Sequence, residues 1–220
     1  MFKIKKCHRI LIISLPFAFA DELNRVYDLN GNLVSGDGYY KEYNELNQLV
    51  RIRQGNLSSS PVLEEFTWAP TEERILVKDV FSNGVKNYTI YYVSKDYLVI
   101  ENSTGNYTEK YVYQGDQLVA QVDTGGNKQF IHSDNKGSSS LITDINGNVV
   151  ENNFYSPMGE LLNGGAKSRL QFEAKEIDSL TKLYDFHFRM YNSQRLPFEQ
   201  PDSLIKNVYD PQIWRFWKSL

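Results

Sequence analysis

Tyr27-Asp28-Leu29-Asn30-Gly31-Asn32-Leu33-Val34 sets Asn-Gly between two apolar stretches, and Asp144-Ile145-Asn146-Gly147-Asn148-Val149-Val150 repeats it almost letter for letter. Asn and Gly tolerate the positive φ that a two-residue type I′ loop demands, so Asn30-Gly31 predicts a tight β-hairpin. Asn83-Gly84, Gly115-Asp116 and Gly125-Gly126-Asn127 are looser versions of the signal. Working outward, the same pattern of a leading aromatic, a polar turn and a β-rich strand returns three more times. It begins at Tyr43, at Phe66 in a worn form, and at Tyr111. No amphipathic helix of convincing length interrupts these units. One hairpin cannot bury a face alone, so the repeats must stack side by side.

Composition agrees. Tyr (15) and Phe (12) dominate the apolar residues, and both favour pleated, half-buried surfaces. A Tyr ring packs on a neighbour while its hydroxyl finds water or a backbone partner. The expected fold is therefore all-β, a series of stacked hairpin repeats, with one short irregular or helical piece near residues 167–180.

Residues 1–20 form a separate unit. Lys3, Lys5, Lys6 and Arg9 make a positive start, Ile10 to Ala20 is an apolar run, and Asp21-Glu22 follow at once. Ala18-Phe19-Ala20 has the small-x-small spacing of a signal-peptidase site, so cleavage after Ala20 is expected. The run is too short for a bilayer span, which needs about 20 apolar residues. Its removal takes the formal net charge from −3 to −7, because it carries four positive residues and no acid. An acidic chain without a basic stripe argues against nucleic-acid binding. The single cysteine, Cys7, leaves with this segment, and with it any disulfide, thiolate ligand or thiol nucleophile. Asn56, Asn87, Asn102 and Asn106 stand in N-x-S/T sequons, which an exported chain exposes to N-glycosylation.

Other chemistry is sparse. His132 and His187 have no evident third ligand for zinc. The Asp28 and Asp144 segments have an acidic, Asn-rich look of a calcium loop, but the Gly stands too early and no Glu closes the loop. Both read as turns. Ser138, Ser139 and Ser140 lie in no nucleophile elbow. No cofactor or metal site is expected.

The repeat Tyr-Asp-x-x-Gly-x-Leu resembles the hallmark of the rearrangement-hotspot (RHS) or YD-repeat family. Later blocks resemble that family's core segment in its own order. They are Phe130-Ile131-His132-Ser133-Asp134 onward to Asp144, Phe154-Tyr155-Ser156-Pro157-Met158-Gly159-Glu160, Phe172-Glu173-Ala174-Lys175-Glu176-Ile177-Asp178, Leu183 to Tyr191, and Gln200-Pro201-Asp202-Ser203-Leu204. The resemblance covers roughly residues 24–210. The resemblance divides the chain after the signal (1–20) into YD repeats (21–130) and a core-like segment (131–210), and leaves a divergent, Trp-rich tail (211–220). It further implies a β-ribbon that spirals into a hollow shell around a passenger such as a toxin, in chains much longer than this one.

The family's core ends in an aspartyl autoprotease. Arg189 and Asp202 stand at the positions of its Arg and first Asp, thirteen residues apart. The second Asp belongs to an Asp-Pro-x-Gly-Leu motif that the sequence does not contain; Asp210-Pro211 is too close to Asp202 and lacks the Gly-Leu. One carboxylate does not divide acid and base roles, so a structural ion pair is the expected role of Arg189 and Asp202. The expected function is that of a secreted or cell-surface, non-catalytic shell segment, a truncated relative of toxin-delivery or adhesion proteins. Its partners are expected to be other RHS chains or a passenger, met by strand pairing at open edges. A carbohydrate-binding module using exposed tyrosines against surface glycans is the alternative.

Overall fold

The computed structural model describes residues 24–70, 74–195 and 198–202. Thirteen strands form one antiparallel sheet: β1 (Val26–Tyr27), β2 (Leu33–Gly36), β3 (Tyr39–Tyr43), β4 (Leu49–Gln54), β5 (Val62–Trp68), β6 (Ile75–Ser82), β7 (Val85–Ser94), β8 (Tyr97–Asn102), β9 (Gly105–Gln114), β10 (Gln117–Val122), β11 (Lys128–Ser133), β12 (Ser139–Thr143) and β13 (Val149–Asn152). Each strand pairs only with its neighbours in the chain, and the sheet stays open with β1 and β13 at its edges. The all-β expectation holds.

Two kinds of hairpin turn recur. Asp37-Gly38 and Asn83-Gly84 are two-residue loops in which both residues have positive φ (56° and 83°; 50° and 78°), the signs a type I′ turn needs. The other kind starts at Asp28, Asn44, Asp123, Asp134, Asp144 and Ser156. In each, the first residue's N–H donates to the carbonyl of the fifth, and the fourth residue's N–H donates to the carbonyl of the first. The first residue's side chain accepts from nearby backbone N–H groups. Asp144 Oδ1 takes those of Asn146 (2.8 Å) and Asn148 (2.9 Å), and Asp28 Oδ1 takes those of Asn30 and Asn32.

Asn30-Gly31 is therefore not the expected type I′ loop. The Asp28 carboxylate caps the turn, and the left-handed conformation falls on Gly31 alone (φ 85°). Gly126, Gly137, Gly147 and Gly159 occupy the same position in their turns, and Asn47 does so at φ 60°. The extra turn residue displaces the ladder, and register shifts sit beside these turns, between Glu42 and Tyr43 and between Ile142 and Thr143.

Register sorts the two faces. Lys41, Ile52, Glu64, Val80 and Tyr88 are successive cross-strand partners on the inner face, and Phe66, Lys78, Ile90 and Ile100 form the next row. On the outer face Glu42, Arg51, Glu65, Asp79, Thr89 and Glu101 form a polar row. Arg51 there bridges Glu42 (2.6 Å) and Glu65 (2.7 Å). Such solvated pairs contribute under about 1 kcal/mol each.

The elements after β13 fold back on the inner face. β14 (Phe154–Tyr155) and β15 (Leu161–Asn163) make a short hairpin, and β16 (Glu176–Ile177), β17 (Tyr184–Asp185) and β18 (Met190–Tyr191) a small second sheet. Of residues 167–180, Phe172–Ala174 form a 3₁₀ turn and Glu176–Ile177 are β16, and the rest is irregular. Leu183 and Met190 of this inner segment join a core cluster with Leu49, Ile52, Phe66, Trp68 and Ile75. Leu170 joins a second cluster with Ile90, Leu98, Tyr111, Leu118, Ile131 and Ile142.

Candidate functional site

The inner segment is held by an aromatic clamp and three charged anchors, two buried and one partly exposed. The clamp gathers blocks that lie apart in sequence. Phe172, Tyr184 and Tyr191 are buried together, with Tyr155, Ile177, Phe186 and Phe198 packed against them. Phe172 lies 6.0 Å from both Tyr155 and Tyr184 in tilted contacts. Tyr184 donates to the carbonyl of Gly159 (3.0 Å) and Tyr191 to that of Met158 (2.9 Å), so the β14–β15 turn is gripped by two hydroxyls.

The first anchor joins Lys41 on β3 to Glu199. The pair is 2.5 Å apart, with side chains 1% and 0% exposed. Glu199 also receives Asn192 Nδ2 (3.4 Å), and its carbonyl accepts the N–H of Leu33.

The second anchor is Lys78 on β6, which contacts Glu64 on β5 (2.9 Å) and Asp178 after β16. Asp178 Oδ1 accepts the N–H of Leu180 (2.9 Å), the N–H of Thr181 (2.6 Å) and the Thr181 hydroxyl (2.8 Å). Burial works to discharge Lys78, but the charges of Asp178 and Glu64 outweigh it and hold its pKa above the usual lysine range. Burial also opposes the charge on Asp178, yet Lys78 and the turn donors keep that carboxyl below the usual range. Glu64 goes the other way: burial, then the Asp178 charge, raise it well above an ordinary glutamate.

The third anchor is Arg169, which contacts Glu176 and lies 4.0 Å from Glu109. Tyr92 donates to Glu176 (2.8 Å) and Tyr111 to Glu109 (2.6 Å). Asp185, the cross-strand partner of Glu176, is pushed up to about 7 by burial and by the Glu176 charge. A cavity of about 20 Å³ separates the last two anchors, lined among others by Glu64, Lys78, Tyr92, Asp178, Asp185 and Met190.

Of the residues singled out in the sequence, Arg189 and Asp202 are brought together at 3.7 Å. The Arg189 guanidinium also stacks 3.7 Å over the Phe198 ring, and the Asp202 side chain is 64% exposed. Asn56, Asn87 and Asn106 are exposed, and Asn102 is half-buried with its Oδ1 accepting the N–H of Thr104. Ala18 and Ala20 of the expected cleavage site, and Asp210-Pro211 with the Trp-rich tail, lie outside the described residues. Among the described residues no group of three His, Cys, Asp or Glu side chains is arranged to hold a metal ion. Nor is any helix among them long and apolar enough to cross a membrane.

The anchors themselves escaped sequence reading. A signal was present: Glu64 shares strand parity with Phe66 and Trp68, so it points where they point. A charge at an inward position of a strand asks for a buried partner.

No family model matches the chain, and no curated protein matches it. Solved structures do. A crystal structure of TcdB2-TccC3-Cdc42 aligns with TM-score 0.70 at 15% identity, over 80% of this chain and 10% of that one. The structure of the Photorhabdus luminescens Tc holotoxin pore aligns with TM-score 0.69 at 16% identity, over 83% and 10%. TcdB2-TccC3 without its hypervariable C-terminal region gives 0.69 at 17%, over 84% and 10%. The chain thus spans about a tenth of the length of these neighbours, and what it shares with that tenth of the Tc toxin chains is its fold.

Proposed function

We propose that the chain is a non-catalytic, secreted or cell-surface segment of an RHS-type shell of the toxin-delivery kind. The observation that carries this reading is the disposition of the sheet. Its inner face is occupied by the chain's own segment through three charged anchors and the aromatic clamp, while β1 and β13 remain as edges. An inner face already covered leaves the edges, whose unpaired backbone groups are where a strand of another chain adds on. The fold shared with Tc toxin assemblies and the ordered core blocks of the sequence support the shell type. The signal-like residues 1–20 support export.

Two measurements test it. Incubation of the purified chain from pH 4 to 8, followed by intact mass, is expected to give no specific fragment. A discrete product that disappears in Asp202→Asn overturns the non-catalytic reading. Sedimentation at rising concentration is expected to show association that Val150→Pro on β13 weakens, because proline removes a ladder donor. A chain that stays monomeric throughout overturns pairing through that edge.

A further inference from the structure

Lys78, Asp178 and Glu64 form an arrangement that does more than neutralise charge. Lys78 and Asp178 lie a hundred residues apart in sequence and are in direct contact, with side chains 5% and 10% exposed. Glu64 is fully buried beside them with Oε1 2.9 Å from the Lys78 Nζ, and burial together with the neighbouring Asp178 charge favours its protonated form. The Lys78 ammonium lies 5.6 Å from the centre of the Phe66 ring, so one side of the group is apolar. We propose that Lys78 and Asp178 become joined by an intramolecular isopeptide bond, with Glu64 as the catalytic proton carrier.

The atoms balance without any further reagent. In the resting state Lys78 is an ammonium and Asp178 a carboxylate. Moving one proton from nitrogen to the Asp178 Oδ2 replaces two buried charges with none; burial favours that change, and the ion pairing that holds Lys78 protonated and Asp178 ionised opposes it. The neutral Nζ then attacks Asp178 Cγ. Oδ1 takes up the negative charge that develops, and it already faces three donors, the N–H groups of Leu180 and Thr181 and the Thr181 hydroxyl, at 2.6–2.9 Å. Donors fixed at that distance are what a tetrahedral oxyanion requires. Glu64 receives the second proton from the attacking nitrogen and passes a proton to the departing oxygen. The C–O bond breaks, an amide remains between Nζ and Cγ, and one water leaves. The adjoining cavity of about 20 Å³, which all three residues line, is large enough for that single water. Holding amine and carboxyl in contact supplies the effective concentration that such a condensation lacks in solution.

Lys41 and Glu199 form an equally buried pair, but the second oxygen of Glu199 meets the amide of Asn192, which carries no proton to a leaving group. The bond is therefore assigned to Lys78 alone.

Complete proteolysis of the full-length chain and mass mapping test the proposal. The expected product is one branched peptide that joins the Lys78 and Asp178 segments, lighter by one water than the two linear peptides together. Lys78→Arg and Glu64→Gln are each expected to return both segments as linear peptides. The wild-type map decides the question even if those variants fold poorly. Linear peptides only, with Lys78 open to acetylation after denaturation, would overturn the bond and leave an ion pair. A branched peptide that persists in Glu64→Gln would remove Glu64 from the chemistry.

Discussion

Gly159 stands at a point where the chain admits no side chain. Its φ is +88°, and a Cβ there would fall 2.5 Å from Cδ1 of the buried Phe172 ring. Backbone strain and overlap act together, so Gly159→Ala is expected to cost about 2–4 kcal/mol in urea unfolding. Asp185 gives a pH signature. An aspartate in an unfolded chain titrates near about 4, but here burial and the facing Glu176 carry it up to about 7. Lys175 and Lys78 pull the other way, and so does the hydrogen bond from the His187 N–H. Between those values the folded chain keeps a proton that the unfolded chain has shed. Stability from this residue therefore falls as pH rises through that window, and the loss is complete above it. Glu64 acts with the same sign. Asp185→Asn keeps the Oδ1 acceptor and removes the titration. Its unfolding midpoint is expected to fall less than the wild-type midpoint between pH 5 and 8.

Among the elements, the Lys41–Glu199 anchor fixes the end of the inner segment to β3. Removing one partner strands a buried charge. Lys41→Met is expected to destabilise by about 3–5 kcal/mol, and adding Glu199→Leu to recover much of that loss. A double-mutant cycle by chemical denaturation reads the difference. This anchor also marks where the sequence stops being legible. Strands and turns are local properties, and the aromatic-led repeat with its Asn-Gly and Gly-Asp signals marked several of the places where hairpins close. The type of turn was misread at Asn30-Gly31, because the carboxylate two residues before Asn30 decides it. Asp37-Gly38, a type I′ loop, gave no alternating apolar flanks by which to notice it. Lys41 finds its partner 158 residues away and Lys78 finds one 100 residues away, separations at which no local pattern carries information. Arg189 and Asp202 were legible as a pair because the family resemblance set them side by side. The buried site has no such motif.

At the scale of the whole molecule, the inner segment is shared by two core clusters that lie along one sheet: Leu183 and Met190 belong to one, Leu170 to the other. The sheet thus has no independent core at either end. A chain that ends at residue 164 is expected to bind a hydrophobic dye strongly and to aggregate, since Ile52, Phe66, Ile90 and Tyr111 would then face water. Size-exclusion chromatography showing a stable, dye-negative monomer of that length would contradict the arrangement.

The strand order, identical to chain order, bears on how the protein is made. A ribosome releases the amino end first, and each new hairpin of this meander has its neighbour already waiting. The elements β14 to β18, which cover the inner face, emerge after all thirteen strands. For most of its synthesis the ribbon is paired edge to edge but bare on one side. A nascent chain in that condition is open to aggregation through its uncovered face until the inner segment arrives.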